Sequence, residues 1–196
     1  MEHSLPVLGS RQGMQLGPLT SILRTRDNLV IRYLSPVCYP IALQTARNLF
    51  QYYAADAEIS GGSQQAAQRE HFGNVVTVGI GRDTFELDRE DRPVKITSTH
   101  VEISRTEGEC TAYEYEEGMG AIYLSPLSEQ RLELVIWGID EAGLRAAGRL
   151  FPMLTGVGQP EFIIVGRKCT WKGAAGVLAM GSFTNAWKAS RASFIS

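Results

Sequence analysis

No stretch of this chain reaches the roughly 18 to 20 consecutive apolar residues that a membrane-spanning helix needs, so no membrane span is expected. The opening, MEHSLPVLGSRQGMQLGPL, has no basic segment followed by a long apolar one, and no export signal is read there. Cysteine is scarce: Cys38, Cys110 and Cys169 are far apart and odd in number, which fits neither a closed disulfide framework nor clustered metal ligands. Ordinary buried thiols are the expectation. No Asn-x-Ser/Thr acceptor occurs, which removes one sign of a secretory route without excluding that route. Neither sign of charge dominates. With 19 basic and 21 acidic side chains, a net charge of -2 and a pI near 6.0, no overall field draws a polyanion, and nucleic acid is not expected as a partner.

What is present is a folding composition: 196 residues, 44% hydrophobic and 20% charged, enough for one substantial core. Residues 1–27 hold scattered Gly and Pro and are taken as an N-terminal arm, and 28–196 as a single α/β domain. Leu29 to Leu34 (LVIRYL) is a strand by its β-branched and aromatic content. The period then changes, and from Pro40 to Ala54 it predicts an amphipathic helix burying Ile41, Thr45, Leu49 and Tyr52, with Leu43, Ala46, Phe50 and Tyr53 beside them. Asp56 to Glu70 is expected as an exposed loop or a frayed turn of helix, and Phe72 to Ile80 as a central strand buried on both faces. Between about residues 83 and 118, VKIT, HVEIS and TAYEY alternate, as short strands with one wet face do. Ala121 to Leu124 and Leu132 to Trp137 are apolar strands. Asp140 caps a helix carrying Leu144, Ala147, Phe151 and Leu154, stopped by Gly156 and Gly158. Phe162 to Val165 follows as a strand parallel to the one before the helix. The last apolar stretch is expected to pack as a loop and end in a short helix near Ala192. These elements predict a flavodoxin-like three-layer sandwich, a mainly parallel sheet with helices on both faces and an antiparallel excursion.

Residues that could carry chemistry are few. No Gly-x-Ser-x-Gly elbow occurs, because Ser182 has Met180 and Thr184 where glycines belong. His71 sits at the wrong end of its strand for a site beyond carboxyl ends, and His100 suits a wet strand surface. The carboxylates Glu107, Glu109, Glu114, Glu116 and Glu117 read as a solvated edge that resists aggregation. No cofactor or metal is implied. The weak candidates for a ligand are Gly79, Gly81, Arg82 and Asp83, at the end of the central strand, with Asp140 and Arg167 beyond two further strand ends. Gly81-x-x cannot be a dinucleotide fingerprint, since position 84 is Thr and no helix follows. Arg167, Lys168 and Lys172 with Trp171 form a basic-aromatic patch suited to an anionic or sugar ligand or to a domain contact.

The ordering GNVVTVGIGRD, GMGAIYLSPLSEQRLELVIWGIDEAGLRAAGRLFPMLTG, GQPEFIIVG and WKGAAGVLAMG resembles the C-terminal accessory domain of fungal α/β-hydrolase proteins of the prolyl-oligopeptidase-like type, over roughly residues 16 to 193. Its most specific part is GxDxxGLRxAxRLxPxLTGxGQP, from Gly138 to Pro160. The resemblance implies an extracellular serine hydrolase or peptidase whose Ser-Asp-His machinery lies in a preceding domain, and no position here matches a catalytic motif. The expected function is therefore a non-catalytic accessory or interaction domain. Its partner would be a hydrolase domain, or a second copy of the chain, met through an apolar face of more than a few hundred Å2. Trp171, Phe183 and Trp187 are its candidate contacts. The alternative is a stand-alone small-molecule or anion-binding domain, for which the strand-end candidates should converge on one pocket.

Overall fold

The computed structural model describes residues 10–61, 73–82, 92–152 and 159–196. Eleven strands make two sheets among these residues. The large sheet contains β1 (Leu29–Tyr33), β2 (Ala57–Gly61), β3 (Val75–Ile80), β7 (Gly120–Pro126), β8 (Leu132–Gly138), β9 (Phe162–Val165), β10 (Val177–Gly181) and β11 (Phe194–Ile195). The small sheet contains β4 (Val94–Ile96), β5 (His100–Ser104) and β6 (Cys110–Glu114). The large sheet runs β11-β10-β9-β7-β8-β3-β1-β2. Its β2, β1, β3 and β8 are parallel, whereas β7, β9, β10 and β11 each pair antiparallel with their neighbours.

This mixed sheet overturns the flavodoxin-like sandwich. Two α-helices longer than one turn lie among the described residues, α1 (Tyr39–Tyr53) and α2 (Glu141–Gly148), and both pack on the same face. Register puts Tyr33, Gly138 and Gly120 on that face. Tyr33 meets Tyr39 edge-on at 5.4 Å, and α2 lies directly over Gly138 and Gly120. The opposite face carries Arg32, Thr77, Val135, Tyr123 and Phe162 in one cross-strand row. There the small antiparallel sheet takes the place of helices, with Val94, Ile96, Val101 and Ile103 buried between the sheets. The physical reason for the error is that β7, β8 and β9 are buried on both faces, so their unbroken apolar runs imitate parallel strands. Periodicity reports burial and carries no direction. β8 and β9 do point the same way across the α2 connection, but β7 lies between them, antiparallel to both.

Four local expectations also change. The loop after Asp56 begins with an edge strand, β2, while residues 62–72, including His71, lie outside the described set. Helix α2 stops at Gly148, short of Phe151, because Pro152 lacks the amide a further turn would use; Leu154 lies outside the described residues. Gly156 and Gly158 are outside the described residues. The final apolar stretch opens with a 3-10 turn, Gly173–Gly176, forms β10 and goes on in turns, with no helix between Gly181 and Ala192. In α1 the inward line is Ala42, Thr45 and Leu49, with Ile41 against Gly148 of α2. Phe50 and Tyr52, expected in or beside the buried face, are instead exposed.

The arm is part of the fold's fabric. Leu19 and Ile22 are buried in the core, and Leu19 N donates to Pro160 O at 3.1 Å. Asn74 ties the arm to the amino edge of the sheet: its Nδ2 donates to Ile22 O at 2.9 Å, and its Oδ1 accepts from Leu132 N at 2.8 Å. Arg11 makes a bidentate pair with Glu161, at 2.7 and 2.8 Å, and lies 4.5 Å over the Trp187 ring. Of the three thiols, Cys38 is buried, with its pKa raised by desolvation, Cys169 is intermediate, and Cys110 is exposed. All three are free.

Candidate functional site

The predicted site residues gather at the carboxyl edge of β3, β8 and β9, but they divide between the two faces of the sheet. Gly79 pairs with the buried Trp137 within the strand. Gly81 ends the strand with φ +87, a left-handed conformation that glycine adopts without strain. Its N–H donates to Gly138 O at 2.9 Å, and its carbonyl accepts from Trp137 Nε1 at 3.0 Å. This turn sends Arg82 toward the small sheet, where its guanidinium lies 5.4 Å over the Tyr115 ring. Tyr115 in turn packs on Trp137 at 5.6 Å and donates its hydroxyl to Thr97 O. Asp83 lies outside the described residues.

Arg82 overlooks a cleft of about 400 Å3 lined by Thr99, His100, Ala112, Glu114 and Tyr115. His100 Nδ1 is 2.9 Å from Thr99 Oγ1 and 3.2 Å from Thr97 Oγ1, and its Nε2 is 3.6 Å from Glu102. Glu114 stands across the strand pair from His100. Cation, imidazole and carboxylate therefore share one wall, an arrangement able to orient a small polar molecule.

Asp140 points to the other face. Its Oδ1 accepts from Gly143 N at 2.8 Å, which caps α2, and its Oδ2 accepts from Gly118 N at 2.8 Å. Both oxygens are committed to backbone, so Asp140 fastens the helix start to the turn before β7. Replacing it with Ala is expected to cost about 1–2 kcal/mol of stability, and Asn should recover part of that; urea denaturation of the two variants checks both. Arg167 donates its backbone N–H to Glu116 Oε1 at 2.7 Å while its side chain is exposed. Gly118, Asp140 and Arg167 are thus neighbours, and Arg82 belongs to a separate cleft. The candidates share an edge of the sheet without sharing a pocket.

The three glycines around this edge explain the motif. A Cβ on Gly138 would fall 1.9 Å from Leu144 N, one on Gly143 would fall 1.9 Å from Met119 O, and one on Gly120 would fall 2.3 Å from Gly143 O. The GxDxxG spacing is therefore the geometry of a helix lying with its backbone against a hairpin.

Of the interface candidates, Phe183 and Trp187 are used inside the chain. Phe183 stacks on Phe162 at 4.9 Å and is 6% exposed; Trp187, 5% exposed, packs on Phe183 and under Arg11. Trp171 is 64% exposed. Sequence reasoning missed a second apolar surface. Tyr39, Leu43 and Phe50 fall along one side of α1 by the helical repeat, beside the buried line, and Phe50 is 68% exposed.

A buried charge cluster was also missed. Glu133 is sandwiched between the sheets, with Arg92 Nη2 at 2.6 Å from Oε2, Arg32 Nη2 at 3.4 Å from Oε1, and Thr77 Oγ1 donating to Oε1. Arg92 is also beside Tyr123, whose phenol burial pushes up to about 12. The signal was legible: Arg32 and Glu133 interrupt strands that are otherwise apolar. All four polar groups at Glu133 are closed to solvent, so the cluster joins the sheets and does not meet a ligand.

No group of three or more metal-ligating side chains occurs among the described residues, and no described helix is long and apolar enough to cross a membrane. No protein-family profile matches the chain. It is 38% identical, over 192 residues, to an uncharacterised secreted protein of Arthroderma benhamiae; the match takes in 96% of this chain and 20% of that protein. The chain thus spans about a fifth of the length of the curated relative it matches.

Proposed function

We propose that this chain is a non-catalytic accessory or interaction domain belonging to a longer extracellular polypeptide, and that it seats against a neighbouring domain of serine-hydrolase type. The observation that carries the reading is proportion: nearly all of this fold, 96%, aligns within 20% of a secreted protein. A unit of this size embedded in a longer chain needs a face for its neighbour. The side of α1 that carries exposed Tyr39 and Phe50, with half-buried Leu43 between them, supplies one. Phe183 and Trp187 leave this role, and Trp171 stays outside the core. The hydrolase assignment of the neighbour rests on the motif resemblance around Gly138 to Pro160.

A second reading is favoured by the Arg82 cleft, whose mixed lining suits a small anion or zwitterion held between Arg82 and Glu114. It needs no neighbouring domain.

Labelling with a fluorophosphonate probe separates an accessory role from an autonomous hydrolase. No serine of this chain is expected to acquire an adduct, while the full Arthroderma protein is expected to acquire one outside the segment that aligns here. An adduct on one serine of this chain, abolished by heat denaturation, overturns the accessory reading.

A further inference from the structure

The segment from Gly166 to Gly176 leaves the end of β9 and returns to the start of β10 as a closed loop. Gly166 N donates to Gly176 O at 3.0 Å across its neck. Within it Cys169 N bonds to Gly166 O at 3.0 Å and Lys172 N to Lys168 O at 2.8 Å. Gly176 is packed so tightly that a Cβ there would sit 2.1 Å from Cys169 N, and Gly173 turns the chain at φ +56. The loop is therefore pre-shaped, and compact loops whose ends meet in this way are frequently functional.

Its outer surface has an unusual content. Trp171 is 64% exposed, and Arg167, Lys168 and Lys172 are exposed around it. Among the described residues none of the three cations has an ion-pair partner. Glu116 lies under the loop with its Oε1 accepting from Arg167 N, a contact that braces the neck and leaves the guanidinium outward. The other two tryptophans, Trp137 and Trp187, are buried, so the fold has places for indoles and holds this one out.

We propose that this loop binds an acidic polysaccharide of the uronic-acid type. A pyranose ring offers an apolar C–H face that stacks on an indole, and its carboxylate suits the fork of Arg167 and the point charges of Lys168 and Lys172. The repeating charge of such a polymer matches three cations spread over a few residues better than a single small anion does. A lipid surface fits less well: the apolar tip is Trp171 with Ala174 and Ala175, and burying about one large side chain is too little for stable anchoring. This site is independent of the α1 face and of the hydrolase assignment.

The test is acrylamide quenching of tryptophan fluorescence with and without oligogalacturonate, together with affinity electrophoresis in gels containing polygalacturonate, dextran sulfate or neutral dextran. Because Trp137 is fully buried and Trp187 nearly so, quenching reports Trp171. Oligogalacturonate should protect Trp171 from acrylamide and polygalacturonate should retard the chain, whereas dextran should do neither. Trp171→Ala should weaken retardation by about tenfold, and Lys168→Gln with Lys172→Gln by a similar factor that shrinks as salt rises. Circular dichroism should be unchanged, since all three side chains are exposed. Absence of protection and retardation overturns the proposal. So does retardation by polygalacturonate that survives Trp171→Ala, retardation by dextran sulfate alone, or sedimentation with phosphatidylcholine/phosphatidylserine vesicles in place of glycan binding.

Discussion

Glu133→Gln is expected to lower the unfolding free energy by about 3–5 kcal/mol, the range found when one partner of a buried ion pair is removed. The glutamine keeps the shape of the side chain, so no cavity forms and the loss is electrostatic. It leaves Arg32 and Arg92, 5% and 3% exposed, in a low-dielectric layer without the carboxylate that sits 3.4 and 2.6 Å from them. It also replaces the strong acceptor of the Thr77 hydroxyl. Urea denaturation reads the change directly. Glu133→Leu combined with Arg32→Met and Arg92→Met should recover much of the loss, because exchanging a whole group of buried charges for apolar groups of similar volume is often neutral. A loss below about 1 kcal/mol for Glu133→Gln would mean that water reaches the space between the sheets.

Gly143→Ala should destabilise by about 3 kcal/mol, with a sign opposite to helix propensity. In an open helix the exchange gains about 1 kcal/mol. Here the new methyl would lie 1.9 Å from the carbonyl oxygen of Met119, and that oxygen belongs to backbone that cannot swing away. Either α2 lifts from the hairpin or the β7 entrance shifts. Both break the bonds that Asp140 makes to Gly118 and Gly143. Ala142→Gly, at an exposed position of the same helix, should cost only about 1 kcal/mol and calibrates propensity at this place. If Gly143→Ala were neutral, the close contact between helix and hairpin would not exist.

The parts legible in the sequence were those that local chemistry decides. The Asp140 cap and its following helix, the alternating strands of the small sheet, and the central place of Val75–Ile80 each follow from a residue type or a period. Strand direction was not legible, because an apolar run such as β7 is the same whether its neighbour is parallel or antiparallel. The second layer was hidden for a related reason: a small sheet and a helix bury an equal face of Thr77, Val135 and Phe162. In α1 the apolar positions cover more of the circumference than the sheet covers, so periodicity could not say which would be left outside. Phe50 and Tyr52 were. Trp187 shows the converse, since its burial depends on Arg11, far away in the chain. The described strand-end candidates stand at one edge, but the turn at Gly81 and the cap at Asp140 carry them to opposite faces, which only the folded chain reveals.

The central claim is that the outer side of α1 is a seat for a neighbouring domain. Hydroxyl-radical footprinting of this chain and of the full Arthroderma protein tests it most directly. In the isolated chain Tyr39, Phe50 and Tyr52 should be labelled strongly; in the long protein the residues aligned with Tyr39 and Phe50 should be protected, while those aligned with Tyr52, on another side of the helix, and with Trp171 stay labelled. Equal labelling of the α1 segment in both proteins would contradict the account.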